Sequence, residues 1–330
     1  MDVPNRATLQ KIYNTLQDET SRNIYRHRLL YSLLDEQREL SAMENECFPS
    51  AIQFRNAKKI CYYGAGGGGL FMIRGNRNIP FIIDTHKTGV LDGVPVISPK
   101  EFWELPDSRD YLVVVTVTVT NKAFQDEITR ELDAHGVQYI FGIPGFQYFD
   151  LPELNLRNEH FVDAGAMDGE TTEYFLNLCE NGHAYVLEPN PKQFEVTKER
   201  LRNYPQAEIF PYGAYDKNTT LCFNVRDGYE STGRISESGS AKVDVRKLDD
   251  LLEGRKVTFI KMDIEGSELA ALRGAERIIR EQKPKLAVCV YHKPEDMWEI
   301  PEFILRCHPD YGLYLRHYSL FGTETVLYAL

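Results

Sequence analysis

The sequence predicts an α/β protein built on two open, mostly parallel sheets, and three observations carry that expectation. Short β-branched runs alternate with helix-like stretches from about 56 to 142, and after a break the alternation restarts and runs on to 330. Each half opens on a glycine-bearing turn between a strand and a helix: CYYGAGGGGLF at 61–71 and FVDAGAMDGETT at 161–172. The length of 330 residues exceeds what one ordinary core holds, so two domains are the natural division. The expected organisation is a helical segment at 1–55, a first α/β domain at 56–150 and a second at 151–330, with IPGFQYFDLPELN (143–155) as the linker.

Taken in order, residues 7–45 read as helix, because Ile12, Leu16, Ile24, Leu29, Leu30, Leu33 and Leu34 recur at roughly helical spacing. Pro49 ends the region. Its apolar stripe suits a cap on a neighbouring element or on a second subunit, so a homodimer is an expectation. In the first α/β half, KKICYY, IPFIID, GVPVIS, YLVVVTVTV and VQYIFG read as strands, with helices at LFMIRGNRN, PKEFWEL and NKAFQDEITRELDAHG. In the second half strands are expected at 160–163, 184–188, 207–211, 220–225, 241–245, 257–262, 285–291, 311–318 and 324–329. Helices are expected between them at 170–180, 191–203, 246–252, 267–281 and 295–307. The last two strands are joined by too few residues for a crossover helix, which makes them antiparallel neighbours.

Composition narrows the function classes. A net charge of -11 argues against a phosphate-backbone binder, so no nucleic-acid partner is expected. The longest apolar run, YLVVVTVTV at 111–119, is far too short for a bilayer, and no membrane partner is expected. The first residues, MDVPNRATLQ, show no basic start followed by an apolar block. Six scattered cysteines without a C-x-x-C pair read as reduced core thiols, which points to a cytoplasmic protein.

The first glycine turn holds G-x-G-x-x-G at Gly64, Gly66 and Gly69, and Asp84 ends a strand about 20 residues later. That is a Rossmann-like layout, and a bare helix N-terminus suits a pyrophosphate. Two alternatives follow from it: a nicotinamide-dependent oxidoreductase, or a non-catalytic nucleotide-binding protein. Against hydride chemistry, the second half shows no Tyr-x-x-x-Lys pair. The short helix, broken at Gly75-Asn76, loosely resembles small nucleotide- or sugar-nucleotide-binding domains of sugar-modifying enzymes over about 58–142. A regulatory or substrate-nucleotide site and a purely structural turn both remain open for it.

The second turn has a different chemistry. Asp163 ends a strand, where it can order the loop or meet a ligand's ammonium through water, and Gly165 lets backbone pass close to a ligand. Asp168 and Glu170 crowd the helix start around Gly169 with negative charge, which disfavours phosphate and suits a cationic ligand. Glu188 ends the next strand, 25 residues after Asp163, where an acid can accept both ribose hydroxyls. Gly213-Ala214 is small enough for an adenine to lie against the backbone. A nucleoside with a positive centre and no phosphates is S-adenosylmethionine.

The segments FVDAGAMDGETT, VLEPNPKQF, PYGAYD, VRKLDDLL and FIKMDIEGSELAALRGAERII occur in this order over about 155–330. Together they resemble the FkbM-type family of S-adenosylmethionine-dependent methyltransferases. The resemblance implies a class I methyltransferase fold with a seven-stranded sheet whose last strand is antiparallel. It also implies O-methylation, often of carbohydrate hydroxyls, on a small-molecule or glycan substrate. Carried over, Asp163, Gly165 and Gly169 match the cofactor loop, Glu188 the ribose acid and Ala214 the adenine-side contact. AMDGE here departs from the Asn that follows the Ala in many relatives.

Methyl transfer from a sulfonium asks for in-line alignment, exclusion of water and help with a hydroxyl proton. Groups for this should sit at the carboxyl ends of the fourth and fifth strands. Asp263 ends the fourth, while Glu265 and Glu268 read as acids of a helix first turn. No third metal ligand is evident from the spacing, so no metal is expected. His292 ends the fifth strand and is the expected general base. Trp298 reads as core or as a wall for a sugar face, and His317 as a weaker substrate contact. The stretch 226–240 reads as a polar lid offering Arg234 and Ser236.

Overall fold

The continuous apolar runs become strands buried on both faces, which is how parallel sheets flanked by helices are built. In a computed structural model the described residues are 4–76, 78–117, 122–142, 147–226, 229–235 and 241–330. They form two compact units: Met1–Glu36, Gln147–Arg316 and Glu324–Leu330 make the larger, Gln37–Phe146 and His317–Thr323 the smaller. The first 36 residues therefore group with the second α/β half, rather than with a separate segment at 1–55.

Two helices open the chain, α1 (Arg6–Thr15) and α2 (Glu19–Leu34). Asp18 caps α2 by accepting from the Ser21 amide at 2.7 Å, and Asp35 ends it in the left-handed region. The smaller unit then runs α3 (Gln37–Cys47), α4 (Ser50–Asn56), β1 (Ile60–Tyr63), α5 (Gly67–Gly75), β2 (Ile82–Ile83), β3 (Gly89–Leu91), β4 (Val94–Ile97), α6 (Pro99–Glu104), β5 (Leu112–Val115), α7 (Lys122–His135) and β6 (Tyr139–Phe141). Its sheet order is β3-β4-β2-β1-β5-β6, parallel except for β3. Two apolar layers cover it, one around Tyr62, Met72 and Val114, the other around Tyr63, Phe102 and Val113.

The larger unit continues with β7 (His160–Ala164), α8 (Glu170–Leu178), β8 (His183–Leu187), α9 (Pro191–Arg200), β9 (Ala207–Phe210) and β10 (Gly213–Ala214). Next come β11 (Thr219–Arg226), β12 (Tyr229–Ile235), β13 (Ala241–Arg246), α10 (Leu248–Leu251) and β14 (Phe259–Met262). The last elements are α11 (Glu268–Arg273), α12 (Glu276–Gln282), β15 (Lys285–Cys289), α13 (Asp296–Cys307), β16 (Leu313–His317) and β17 (Thr325–Ala329). Seven of these strands form one sheet in the order β16-β17-β15-β14-β7-β8-β9. β7, β8, β9, β14 and β15 run parallel, and β17 is antiparallel to β15. The seven-stranded sheet with its reversed last strand is the one expected for the second half.

Two features go beyond what the sequence specified. The strands at 220–225 and 241–245 do not join the large sheet; they build a separate four-stranded sheet, β10-β13-β11-β12. The stretch read as a lid is largely strand, since β12 pairs antiparallel with β11 and Arg234 lies opposite Asn224. Its Ser, Thr and Gly content conceals a hairpin because alternation, not hydrophobicity, sets an edge ribbon. Ser236 falls outside the described residues. Among the described residues no helix is long and apolar enough to cross a membrane.

Candidate active site

Order of β7, β8 and β14 in the sheet brings three strand tips side by side, and a buried ion pair lies beneath them. Lys261, in the otherwise apolar strand Phe259–Met262, is 2% exposed. Its ammonium donates to Asp163 Oδ1 at 2.9 Å and to the Gly165 carbonyl at 2.8 Å. Burial lowers the lysine pKa, but the Asp163 and Asp263 carboxylates outweigh it and the net direction is upward. Thr172 Oγ1, in the first turn of α8, donates to Asp163 Oδ2 at 2.6 Å. Both oxygens of Asp163 are thus engaged and the residue is 0% exposed, so it orders the loop and does not face a ligand's ammonium.

Gly165, at φ +82, is where the loop crosses the end of β14. A Cβ there would lie 2.0 Å from the Asp263 carbonyl oxygen, which no side chain tolerates. Gly169, also in the left-handed region at φ +81, precedes α8 and faces Thr197 of α9. The negative crowding expected from Asp168 is answered from α9: Arg200 Nη2 donates to Asp168 Oδ2 at 2.8 Å, and Nη1 to Glu173 Oε2 at 3.1 Å. Asp168 is therefore a paired carboxylate, not a free one beside a ligand.

Glu188 follows β8 and accepts two backbone amides, Met167 N at 2.8 Å and Asn190 N at 2.7 Å. Each oxygen keeps a further lone pair. Burial pushes its pKa up to about 7, against the pull of those amides and of Lys261. Ala214, 4% exposed, lies beyond β9 in β10, where it pairs with Arg246 of β13. The expected cofactor residues thus lie at the end of β7 and on the turn after it, just past β8, and in β10 of the smaller sheet.

The next two tips carry the acids and the histidine. Asp263 Oδ2 accepts from the Tyr148 hydroxyl at 2.9 Å, and Oδ1 from the Tyr291 hydroxyl at 3.4 Å. Burial and Asp263 raise the Tyr148 phenol well above its ordinary range, which keeps it a donor. Glu268 Oε1 accepts the amides of Ile264 and Gly266 at 2.9 and 3.3 Å, closing the turn before α11. The same oxygen lies 3.0 Å from His292 Nδ1. His292 Nε2 lies 3.6 Å from Asp263 and 3.7 Å from Glu265. Burial lowers the imidazole pKa, but Glu268, Asp263 and Glu265 together lift it to about 9. The carboxylates around His292 thus favour the charged form of the ring. The fold also supplies what the spacing of Asp263 and Glu265 lacked: ligating atoms of Asp263, Glu268 and His292 lie within 4.8 Å of one another, a set that could hold a metal ion.

Other expected contacts sit elsewhere. Trp298 is 3% exposed within α13 and belongs to the core, not to a sugar-facing wall. His317, grouped with the smaller unit, is 4% exposed and packs its ring 5.8 Å from Phe48. In that unit, the first glycine turn is closed on itself: Asp84 accepts from the amides of Ala65, His86 and Lys87 at 2.6, 2.8 and 2.8 Å. Gly64 has φ +116, and a Cβ on Gly69 would lie 2.1 Å from the Gly64 carbonyl oxygen, while Gly66 faces open space. Sequence reasoning missed Lys261, Tyr148 and Arg200. A lone lysine inside an apolar parallel strand is a readable signal for the first; the others declare themselves only in three dimensions.

Residues 163–312 match the family model described as the methyltransferase FkbM domain, a stretch that starts at Asp163 and includes Glu188, Asp263 and His292. A curated relative, the 2-O-methyltransferase NoeI of Sinorhizobium fredii, is 21% identical over 144 residues, covering 37% of this chain. The match spans 59% of that protein's length. Among solved structures, the methyltransferase FkbM from Methylobacillus flagellatus is 24% identical, with a TM-score of 0.47 over 85% of this chain and 92% of that one. Aeropyrum pernix fibrillarin in complex with S-adenosyl-L-methionine is 12% identical, with a TM-score of 0.35 over 55% of this chain and 70% of that one.

Proposed function

We propose that the chain is an S-adenosylmethionine-dependent O-methyltransferase whose acceptor is a hydroxyl of a carbohydrate or nucleotide-sugar-derived molecule. The observation that carries the reading is the juxtaposition of Gly165 and Glu188 just past the paired tips of β7 and β8, within a segment matching a methyltransferase domain model. Glu188 would accept the ribose hydroxyls through its remaining lone pairs, the glycine turn would pass beneath the methionine part, and Ala214 would flank the adenine. Asp263, with its side chain 25% exposed, stands at the next tip and is held in place by Tyr148 and Tyr291. It is the group placed to orient an acceptor hydroxyl in line with the sulfonium methyl and to take its proton. The hydroxyl chemistry draws support from the 2-O-methyltransferase activity of the NoeI relative.

The closed turn around Asp84 counts against the nicotinamide reading, because three amides leave its carboxylate one acceptor position where two ribose hydroxyls need two. The test is incubation of the purified chain with S-adenosylmethionine and a panel of glycans and nucleotide sugars, read by mass spectrometry. Gain of a methyl group on an acceptor hydroxyl is the expected product. Methyl transfer to nitrogen or carbon acceptors alone would contradict the O-methyl assignment.

A further inference from the structure

The groups around His292 do not form a closed hydrogen-bond network. Nε2 stands 3.6 Å from Asp263 Oδ1 and 3.7 Å from Glu265 Oε2, both beyond the range of an N–H···O bond. Neither ring nitrogen makes a hydrogen bond of sound geometry among the described residues, although the side chain is only 3% exposed. Glu268 is 0% exposed and its Oε2 has no hydrogen-bond partner there either, while Oε1 is occupied by two amides. Buried polar atoms left in this state are costly and call for a partner. Two donors ligating one cation at about 2.0–2.2 Å stand roughly 3–4 Å from each other. One ligating atom from each of Asp263, Glu268 and His292 lies within 4.8 Å of the other two, close enough for one cation to gather them.

We propose that Asp263, Glu268 and His292 form a binding site for a divalent first-row transition cation. An imidazole nitrogen with carboxylate oxygens favours Mn²⁺, Fe²⁺, Co²⁺ or Zn²⁺ over the all-oxygen preference of Mg²⁺ and Ca²⁺. The supporting groups are already in place: two amides fix Glu268, and two tyrosine hydroxyls fix Asp263. Solvent reaches the cluster through Asp263 and Glu265, whose side chains are 25% and 30% exposed. The site rests on the methyltransferase reading only for its role, since an acceptor hydroxyl on that cation would lose its proton more readily.

Cation binding itself needs neither donor nor acceptor, so it is measured alone. The full chain, dialysed against chelator, is titrated with MnCl₂ and followed by electron paramagnetic resonance and calorimetry. A single Mn²⁺ per chain is expected, with affinity reduced by about tenfold or more in Asp263→Asn and in His292→Gln. Far-UV circular dichroism and the thermal midpoint establish that both variants fold. If the wild-type chain binds Mn²⁺ and Zn²⁺ no more tightly than the Asp263→Asn/His292→Gln double variant, the proposal is overturned. That result leaves the methyltransferase reading intact, and absence of S-adenosylmethionine binding leaves the cation result intact.

Discussion

The two glycine turns look alike in sequence and differ in what lies under them. In the turn at 64–69 the following acid, Asp84, spends its carboxylate on Ala65, His86 and Lys87, and Lys87 Nζ donates to the Ala65 carbonyl at 2.9 Å. The turn is held from within. In the turn at 165–169 the support comes from a central strand, through Lys261 and Asp163, and the following acid, Glu188, keeps lone pairs for a ligand. More glycines therefore do not make the better nucleoside site; what decides is whether the acid at the second strand tip is left with capacity.

The largest way to break this contrast is Lys261→Met. It leaves Asp163 buried without its cation, and loss of one partner of a buried pair costs about 3–5 kcal/mol. Chemical denaturation should show a fall of that size, together with loss of S-adenosylmethionine binding. A change below about 1 kcal/mol would mean that the pair does not organise the loop.

Close behind comes a matched glycine pair. Gly165→Ala puts a Cβ 2.0 Å from the Asp263 carbonyl at φ +82, and should cost about 3 kcal/mol. Gly67→Ala, at the start of α5 with nothing within 4 Å, should stabilise by about 0.5 kcal/mol. Equal effects on the thermal midpoint would show that neither turn is built as described.

A pH series sharpens the comparison at Glu188. Its folded pKa of about 7 exceeds the ordinary carboxylate value, so the folded state holds that proton more tightly than the unfolded one. The stability it contributes is complete below the unfolded pKa and is lost as pH rises through about 7, an effect of about 3 kcal/mol. Cofactor binding should run the other way, because the ionised form accepts two ribose hydroxyls: affinity falls as pH drops below about 7. Glu188→Gln should flatten both slopes.

Much of the larger unit was legible in the sequence because its strands are continuous apolar runs and its turns carry glycines that geometry demands. That Gly165, Glu188 and Asp263 come together followed from strand ends alone, since the ends of adjacent parallel strands must lie together. What escaped had physical reasons. The strand Tyr229–Ile235 is polar enough to read as loop, and only its pairing with β11 reveals it. The role of Tyr148 depends on a segment that reads as linker reaching Asp263, 115 positions away. The convergence of three carboxylates on His292 from a neighbouring tip cannot be read from CVYHKP alone.

The most direct test is equilibrium binding of S-adenosylmethionine and of NAD to the wild-type chain, to Glu188→Gln and to Asp84→Asn. The account predicts that S-adenosylmethionine binds, that Glu188→Gln weakens it by about tenfold or more, and that Asp84→Asn leaves it unchanged. NAD binding that disappears in Asp84→Asn, with no binding of S-adenosylmethionine, would contradict it.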